Sequence, residues 1–322
     1  MMKKCCFIIP YYGQLPNYFN VFLKTCETNK NYDWMIFTDD QNNYNCPDNV
    51  KIIYDTIENF KKNAEEKLGF KVSIPNAHKI CDFKPAFGFL YESYIKDYYM
   101  WGHCDLDIIL GNLDKFITDD LIKKYDKLFC LGHMILYKNN EENNRMFMKK
   151  YNNKELYKSV FTSNKTLVFD ETYNGKNNIN SIFELYKKKI YTEDLAFNVK
   201  IFPTKFTRSK FIYQKYDYEN ENIKNAIYVW DKGNLYRIIK KGKEILREDF
   251  MYMHFQQRKM SINNKVLKDS FFQIVPNKFE TLKTNDITIN NFNKCKKYSF
   301  TLHYLTKHIE WKLSKWRKKN VK

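Results

Sequence analysis

Two aspartates, Asp105 and Asp107, stand one residue apart at the end of an apolar stretch in MWGHCDLDIILGNL (100–113). Residues at i and i+2 of an extended segment point to the same side, so the two carboxylates should face the same way. Carboxylates that converge beside a buried strand are costly unless a cation balances them. Oxygen ligands of this kind suit Mg²⁺ or Mn²⁺. The pair therefore predicts a divalent-metal site; the alternative, two acids in a surface turn, is disfavoured by the apolar flanks.

The elements that must position this pair are short apolar runs alternating with segments of helical periodicity. The predicted strands are 5–10, 33–40, 50–55 and 98–104, and the predicted helices are 17–29 and 84–98. This order predicts an α/β fold with a mainly parallel sheet flanked by helices. The ligand site of such a sheet lies at the carboxyl ends of its strands, where the acid pair stands.

The second half of the chain is more mixed. It predicts a strand at 126–139, a polar helix through RMFMKKY, a meander over 227–255 with glycine turns, and a late strand at 271–276. No repeat and no linker rich in proline or glycine divides it. We therefore predict one domain over 1–276, with halves of about 1–125 and 126–276, followed by a basic tail at 277–322.

Composition indicates a folded globular protein, with 43% hydrophobic and 17% aromatic residues. The formal net charge of +18 would suit nucleic acid, a membrane surface or a phosphorylated substrate. No recognised nucleic-acid motif accompanies the charge, and the densest basic run lies in the tail. We expect no nucleic-acid partner, although a basic nucleic-acid-binding protein without catalytic activity is one alternative.

The cysteines and the amino-terminal residues indicate the cellular location of the chain. The eight cysteines show no metal-ligand spacing, and several stand among apolar neighbours, as reduced cysteines do. The apolar run at 5–9 stops at Pro10, which is too short for a signal peptide, and no run approaches the roughly 18 apolar residues of a membrane span. The expected location is the cytoplasm.

The chain has neither of the glycine-rich phosphate-binding motifs, so a phosphate would have to be bound by metal and side chains. The D-x-D at the end of a strand resembles that of metal-dependent glycosyltransferases of the GT-A fold, which use nucleotide-diphosphate sugars. The segments 79–91, 101–113, 131–139 and 253–260 resemble an uncharacterised bacterial family of such enzymes, often encoded with surface-polysaccharide genes. The resemblance covers about 3–276 and implies a Rossmann-like GT-A domain. Its first half would bind the nucleotide sugar and its second half the acceptor.

The resemblance also implies residue roles. The metal ligands would be Asp105, Asp107 and, as a late third ligand, His254, whose imidazole is acceptable to Mn²⁺. The loops after the first two strands would bind the nucleotide, through Pro10, Tyr11, Tyr12, Asp39 and Asp40. Arg258 and Lys259 would supply a cation to the diphosphate.

Three further residues have two interpretations each. Asp82 and Lys84 precede a predicted helix, where Asp82 could be the N-cap. The functional interpretation is that Lys84 reaches the donor sugar or its phosphates, and both residues are grouped with the nucleotide-sugar-binding residues. His133, in LGH, is either an ordinary core histidine or a residue that lines the pocket; we group it with the nucleotide-sugar-binding residues.

An inverting transfer needs a base to take the acceptor proton. The pair Glu193 and Asp194 resembles the acid pair that supplies this base in some inverting GT-A enzymes, so these two residues are favoured. Asp170 and Glu171 come next. Each of the four could equally be an acid at a helix N-terminus.

The tail at 301–322 places Leu302, Leu305, Ile309, Leu313 and Trp316 on one helical face, with lysines on the remainder. An amphipathic basic helix of this kind suits an anionic membrane surface. The alternative is a helix packed on the domain.

Together these features predict a glycosyltransferase of the hexosyltransferase type, peripheral on the inner face of a membrane. It would move a sugar from a nucleotide diphosphate, with UDP favoured, to a surface glycan or a lipid-linked acceptor, using Mn²⁺ or Mg²⁺. A metal-dependent nucleotidyl or phosphoryl transferase could use the same acids and is the other enzymatic alternative. The sugar, linkage and stereochemistry stay open.

Overall fold

The computed structural model describes residues 3–172, 175–200, 205–256 and 258–298, and the single positions 302, 305, 306, 309, 310, 312 and 313. The strands are β1 (Lys3–Pro10), β2 (Tyr32–Thr38), β3 (Val50–Tyr54), β4 (Tyr98–Cys104), β5 (Ile108–Leu110), β6 (Lys127–Leu128), β7 (Met134–Lys138), β8 (Ile190–Tyr191), β9 (Phe197–Asn198), β10 (Arg208–Ile212), β11 (Asp217–Glu221), β12 (Ala226–Asp231), β13 (Asn234–Lys241), β14 (Glu244–Phe250), β15 (Tyr252–His254), β16 (Ser261–Ile262), β17 (Phe271–Val275) and β18 (Lys278–Thr281). The helices are α1 (Phe19–Glu27), α2 (Ile57–Leu68), α3 (Phe87–Leu90), α4 (Glu92–Ile95), α5 (Leu113–Phe116), α6 (Asp119–Lys124), α7 (Glu141–Asn144), α8 (Leu156–Thr162), α9 (Ile179–Leu185) and α10 (Phe292–Cys295). Four 3₁₀ helices cover Ala77–Ala86, Met146–Met148, Tyr213–Lys215 and Asn264–Leu267.

The main sheet has seven strands in the order β3-β2-β1-β4-β7-β6-β8. The strands β3, β2, β1 and β4 are all parallel to one another, as the sequence predicts. β7 runs antiparallel to both β4 and β6, so the sheet as a whole is mixed. The fold is therefore mixed α/β, and its parallel part ends at the strand that carries the acid pair.

Alternate residues of β1 enter two different apolar cores. Cys5 and Phe7 pack with the buried face of α1, whereas Cys6 and Ile8 pack with Phe60 of α2 and with α3. A strand that is covered on both faces requires a continuous apolar run, which is why CCFIIP does not alternate with polar residues. The prediction of a sheet flanked by helices is confirmed in this half of the chain.

The single helix predicted over 84–98 is not what the structure shows. The segment instead continues the 3₁₀ helix that ends at Ala86 and then makes the two short helices α3 and α4. Pro85 cannot donate the backbone hydrogen bond that a longer helix requires. Gly88 also lies directly against Trp101, where an ideal Cβ would stand 2.2 Å from the ring. Packing against that ring, rather than helical periodicity, sets the path of the chain here.

The predicted single strand over 126–139 is a hairpin of β6 and β7. The five residues between them, 129–133, form a loop in which Phe129 adopts φ +70°. This loop turns Gly132 and His133 toward the end of β4, as the hydrogen bond from the Asp105 N–H to the His133 carbonyl shows (3.0 Å).

The predicted meander is confirmed over β12, β13 and β14, which belong to a six-stranded sheet in the order β14-β13-β12-β17-β18-β16. β15 leaves the meander and pairs with β5 and β9 in a separate three-stranded sheet. The boundary predicted at residue 276 falls inside the hairpin of β17 and β18, and Phe292 packs on the same sheet. The six-stranded sheet therefore extends beyond residue 276.

The described positions from 302 to 313 are helical, and Leu302, Ile309 and Leu313 expose about half or more of their surface. Trp316 and most of the tail lysines lie outside the described residues. Within the described part of the chain, no helix is long and apolar enough to cross a membrane.

Lys127 in β6 predicts a measurable pH dependence of stability. Its ammonium is fully buried, and it donates to the Phe129 carbonyl and to Oδ1 of Asn180, both neutral groups. Burial lowers the pKa of Lys127 to about 8, whereas an unfolded lysine titrates near 10.4. Between these values the unfolded lysine binds more protons than the folded one, so the contribution of Lys127 to the free energy of unfolding should rise with pH by up to about 3 kcal/mol. In Lys127→Met this rise should be absent.

Urea unfolding at pH 7.5 and at pH 10 measures the effect, with the exposed Lys123→Met as the matched control. The control should keep the pH dependence of the unchanged chain. The same pH dependence in Lys127→Met and in the unchanged chain would contradict the argument.

Candidate metal centre

The pairing of β5 with β15 brings His254 beside the acid pair. β5 begins immediately after Asp107, and His254 stands opposite Ile108 in the antiparallel register. The Phe255 N–H continues this pairing by donating to the Asp107 carbonyl (2.9 Å). His254 Nε2 lies 3.2 Å from Asp107 Oδ1 and 3.7 Å from Asp105 Oδ2. One ligand atom from each of the three residues lies within 4.8 Å of the other two.

Asn198 in β9 sets the orientation of the His254 ring. Its Oδ1 lies 3.0 Å from His254 Nδ1 and also accepts from Gln256 (2.9 Å). An amide oxygen only accepts, so the proton of a neutral imidazole is assigned to Nδ1 and the lone pair of Nε2 faces the carboxylates. Metal-binding histidines characteristically have such a partner on the other nitrogen. Sequence reasoning missed Asn198, since an asparagine in a two-residue strand carries no local signal.

The three residues fit a divalent ion chemically. Two carboxylates and one imidazole nitrogen are ligands that Mn²⁺ accepts, and Mg²⁺ accepts the carboxylates readily. Burial alone would lower the pKa of His254, but the carboxylates of Asp107 and Asp105 raise it above its ordinary value. The same negative field that holds a proton on this ring favours a metal cation. The cluster of Asp105, Asp107 and His254 could therefore bind a metal ion.

Loss of the Asn198 amide should weaken that binding. In Asn198→Ala the His254 ring loses its orienting acceptor, so we expect Mn²⁺ affinity to fall by about 10- to 100-fold. Titration calorimetry with Mn²⁺ measures the change, and the exposed Asn222→Ala is the control. Unchanged affinity in a folded Asn198→Ala would show that the ring is oriented by other contacts.

A second polar group borders the cluster. Lys84 Nζ lies 2.8 Å from Asp105 Oδ1 and 3.4 Å from Asp170 Oδ2, and it donates to the Gly132 carbonyl (2.8 Å). Glu171 Oε2 accepts from the Gly132 N–H (2.7 Å). Burial raises the pKa of Asp170 to about 7, and the Lys84 ammonium opposes that rise. The structure thus places Lys84, Asp170 and Glu171 beside the first aspartate of the pair.

His133 stands behind His254. The centroids of the two rings are 4.5 Å apart, and His133 Nδ1 lies 2.6 Å from the Tyr252 hydroxyl. Burial lowers the pKa of His133 well below its ordinary value, with a further contribution from His254, so the ring is neutral. His133 is only 6% exposed. It therefore lies next to the metal ligand His254 but away from solvent.

Most residues of the predicted nucleotide loops lie at the same end of the sheet. Tyr11 is near enough to the acid pair for Asp107 and Asp105 to add to the effect of burial in raising its pKa. Asp39 accepts from the Gly13 N–H (2.7 Å), which joins the loop after β2 to the loop after β1. Asp40 accepts from the Asn42 N–H (2.8 Å) and from Tyr44, which folds the same loop. Pro10 is buried within β1.

Tyr12 points to the opposite face of the sheet. Its hydroxyl donates to Asp55 (2.7 Å), and its ring packs on Phe60. Because successive residues of an extended segment alternate in direction, only one of the two neighbouring tyrosines can face the acid pair. We therefore do not retain Tyr12 among the residues that would contact a nucleotide.

Asp82 is buried away from the cluster. It has no exposed surface, pairs with Lys79 (2.8 Å) and accepts from the N–H groups of Leu167 and Phe169. It stands inside the 3₁₀ helix and not at an N-cap, so the capping prediction is wrong. Its two oxygens are occupied by the fold, which leaves no contact for a donor sugar.

The carboxylate of the favoured acid Asp194 is bound by the backbone of its own part of the fold. The carboxylate of Asp194 accepts from the N–H groups of Ala196 (3.1 Å) and Phe211 (2.9 Å), and Glu193 is exposed. The acids that lie beside Asp105 are instead Asp170 and Glu171. The order of the two pairs as candidate bases stays a prediction.

Arg258 and Lys259 differ in their surroundings. The buried Arg258 guanidinium donates to Asn277 Oδ1 (2.6 Å) and stands over the Phe206 ring, while Lys259 is exposed. Among the described lysines and arginines, Lys84 contacts the acid pair, at Asp105 Oδ1 (2.8 Å).

Comparison with known proteins identifies a family. Residues 7–283 match DUF6625, described as a family of unknown function. The chain belongs to this family. No curated protein sequence matches it.

Among solved structures, the chain is similar to the glycosyltransferase GlyE of Streptococcus pneumoniae TIGR4. Sequence identity is 11% and the TM-score is 0.28, with 60% of this chain and 45% of that chain covered. The chain thus spans less than half the length of that structure. A TM-score of this size does not establish a common fold, so the function proposed below depends on the site.

Proposed function

We propose that this member of DUF6625 is a metal-dependent glycosyltransferase of the GT-A type, which uses a nucleotide-diphosphate sugar. The observation that carries the proposal is the convergence of Asp105, Asp107 and His254 at the carboxyl end of a parallel strand. These ligands come from two parts of the chain almost 150 residues apart, and Asn198 orients the third ligand from a further strand. Two acids in a surface turn would not need a buried histidine beside them or an amide that orients its ring.

The proposed role of each residue follows from its position in the site. Asp105, Asp107 and His254 would hold Mn²⁺ or Mg²⁺, which when bound neutralises charge on a diphosphate leaving group. Tyr11 and the loop joined to Asp39 border the acids and would receive the nucleotide, for which UDP is our first choice.

The acids beside Asp105 are the proposed source of a base. Glu171 is partly exposed and is held by the Gly132 N–H, so it is the better placed of the pair to take a proton from an acceptor hydroxyl. Asp170 is 4% exposed and faces Lys84 instead. The proposed acceptor is a surface glycan or a lipid-linked sugar.

The tail supports a location at a membrane. Leu302, Ile309 and Leu313 recur at helical spacing and are exposed at the described positions, on a chain of net charge +18. We propose that this face lies on the anionic inner surface of a membrane, where lipid-linked acceptors reside.

Titration calorimetry of UDP, GDP and CMP, each with and without Mn²⁺, tests the proposed reaction. We expect one nucleoside diphosphate to bind only when Mn²⁺ is present. Turnover should then release free nucleoside diphosphate, whereas release of pyrophosphate would indicate a nucleotidyl transferase. If no nucleotide binds with or without the metal, the proposal is wrong.

A further inference from the structure

We propose that the Lys84 ammonium is a built-in second cation of the metal centre, which fixes Asp105 as a ligand and limits the centre to one divalent ion. The inference rests on the metal centre proposed above and concerns the group that stands beside it. It makes Lys84 a positioning residue that acts through Asp105, not a residue that contacts the substrate.

The Lys84 ammonium makes two hydrogen bonds and one longer ion pair within the chain. An ammonium group has three N–H donors. Three acceptors surround it: Asp105 Oδ1 (2.8 Å), the Gly132 carbonyl (2.8 Å) and Asp170 Oδ2 (3.4 Å). The side chain is 11% exposed. The chain itself therefore surrounds this ammonium with oxygens and leaves little of the side chain open to a diphosphate.

Asp105 divides its two oxygens between two positive centres. Oδ1 is bound to Lys84, whereas Oδ2 lies on the side of His254, 3.7 Å from Nε2. A carboxylate is planar and rigid, so fixing one oxygen fixes the direction of the other. Lys84 thus holds Oδ2 toward the place where Asp107 and His254 converge.

The charges explain why a cation is needed at this position. Four carboxylates meet here, those of Asp105, Asp107, Asp170 and Glu171, and Asp170 is almost fully buried. A divalent ion held by the first two does not balance the second pair. Buried carboxylates that face one another need a cation between them, and Lys84 stands there.

Gly132 makes the close approach of the backbone to Lys84, Asp170 and Glu171 sterically possible. An ideal Cβ at residue 132 would lie 2.4 Å from Asp170 Oδ2, so only glycine lets the backbone approach the acids this closely. The approach places the carbonyl on Lys84 and the N–H on Glu171. Oxygens from three separate segments therefore surround one ammonium, as they would surround a metal ion.

Mn²⁺ titration of the full chain without nucleotide, by calorimetry and electron paramagnetic resonance, tests the inference. The unchanged chain should bind one ion. Lys84→Ala should bind two, because oxygens of Asp105, Asp170 and Gly132 become available, and the two ions should show magnetic coupling. Lys84→Arg should restore a stoichiometry of one, which a role in mere space filling would not explain.

A folded Lys84→Ala that binds one ion or none would overturn the inference. If the unchanged chain binds no Mn²⁺, the metal centre itself is wrong, which is a different result. Asp170→Asn, with Lys84 retained, keeps the test valid should Lys84→Ala fail to fold by circular dichroism. That variant should bind one ion with unchanged affinity; a loss of about tenfold or more would make Asp170 a metal ligand and also overturn the inference.

Discussion

Replacement of Asp107 by asparagine is expected to abolish Mn²⁺-dependent binding of nucleoside diphosphate, with a loss of at least about 100-fold. Loss of a residue that merely supports a ligand typically costs 10- to 100-fold, so loss of a charged ligand should cost more. Asparagine keeps the shape of the side chain but replaces a carboxylate with a neutral amide, a weaker ligand for a hard cation. Its oxygen would also no longer offer a charge to His254 Nε2, which lies 3.2 Å away.

Calorimetry with UDP and Mn²⁺ measures this loss, and Asp120→Asn is the matched control. Asp120 is an exposed acid in the first turn of α6, and its substitution removes the same charge from the same region of the chain. The control should bind as the unchanged chain does. Full metal-dependent binding in a folded Asp107→Asn would show that the acid pair is structural.

The position of the acid pair was predictable because its signals are local. An apolar run of seven residues predicts β4 with its observed bounds, and the alternation of the first half predicts that β4 joins a parallel sheet. The i, i+2 spacing then predicts that both carboxylates face one way. Each step depends on residues that are close together in the sequence.

Pairings between distant segments could not be predicted in the same way. Two pairs, Asp170-Glu171 and Glu193-Asp194, look alike in the sequence, since both are adjacent acids beside apolar residues. Their difference arises from the β6–β7 loop, which carries Gly132 to one pair, and from Lys84, which reaches the same pair. The resemblance to GT-A enzymes favoured the other pair, and no local signal opposed it.

Lysine positions were equally ambiguous. Lys79 and Lys84 stand five residues apart in one segment, and the sequence gives neither a partner. The structure pairs Lys79 with Asp82 in the core, and Lys84 with Asp105 at the site. The two interactions therefore have different expected consequences when they are removed, one for stability and one for metal binding.

Asp82→Ala is expected to lower the free energy of unfolding by about 3–5 kcal/mol. Both partners of the Asp82–Lys79 ion pair have no exposed side-chain surface, so the substitution leaves the lysine charge buried without its carboxylate. It also leaves the N–H groups of Leu167 and Phe169 without their acceptor. These N–H groups begin the segment that leads into Asp170, so the same residue holds the acid-bearing segment in place.

Urea unfolding separates these contributions, with the exposed Asp48→Ala as the control. Asp82→Asn keeps an oxygen for one N–H group but removes the charge, so its loss should be smaller than that of Asp82→Ala. Adding Lys79→Met to Asp82→Ala removes the unpaired charge and should recover part of the stability. Replacing both partners of a buried ion pair by apolar residues costs less free energy than removing one partner and leaving the other charged. A change below about 1 kcal/mol in Asp82→Ala would contradict the argument, since it would mean that water reaches Lys79 and that this part of the core is not closed.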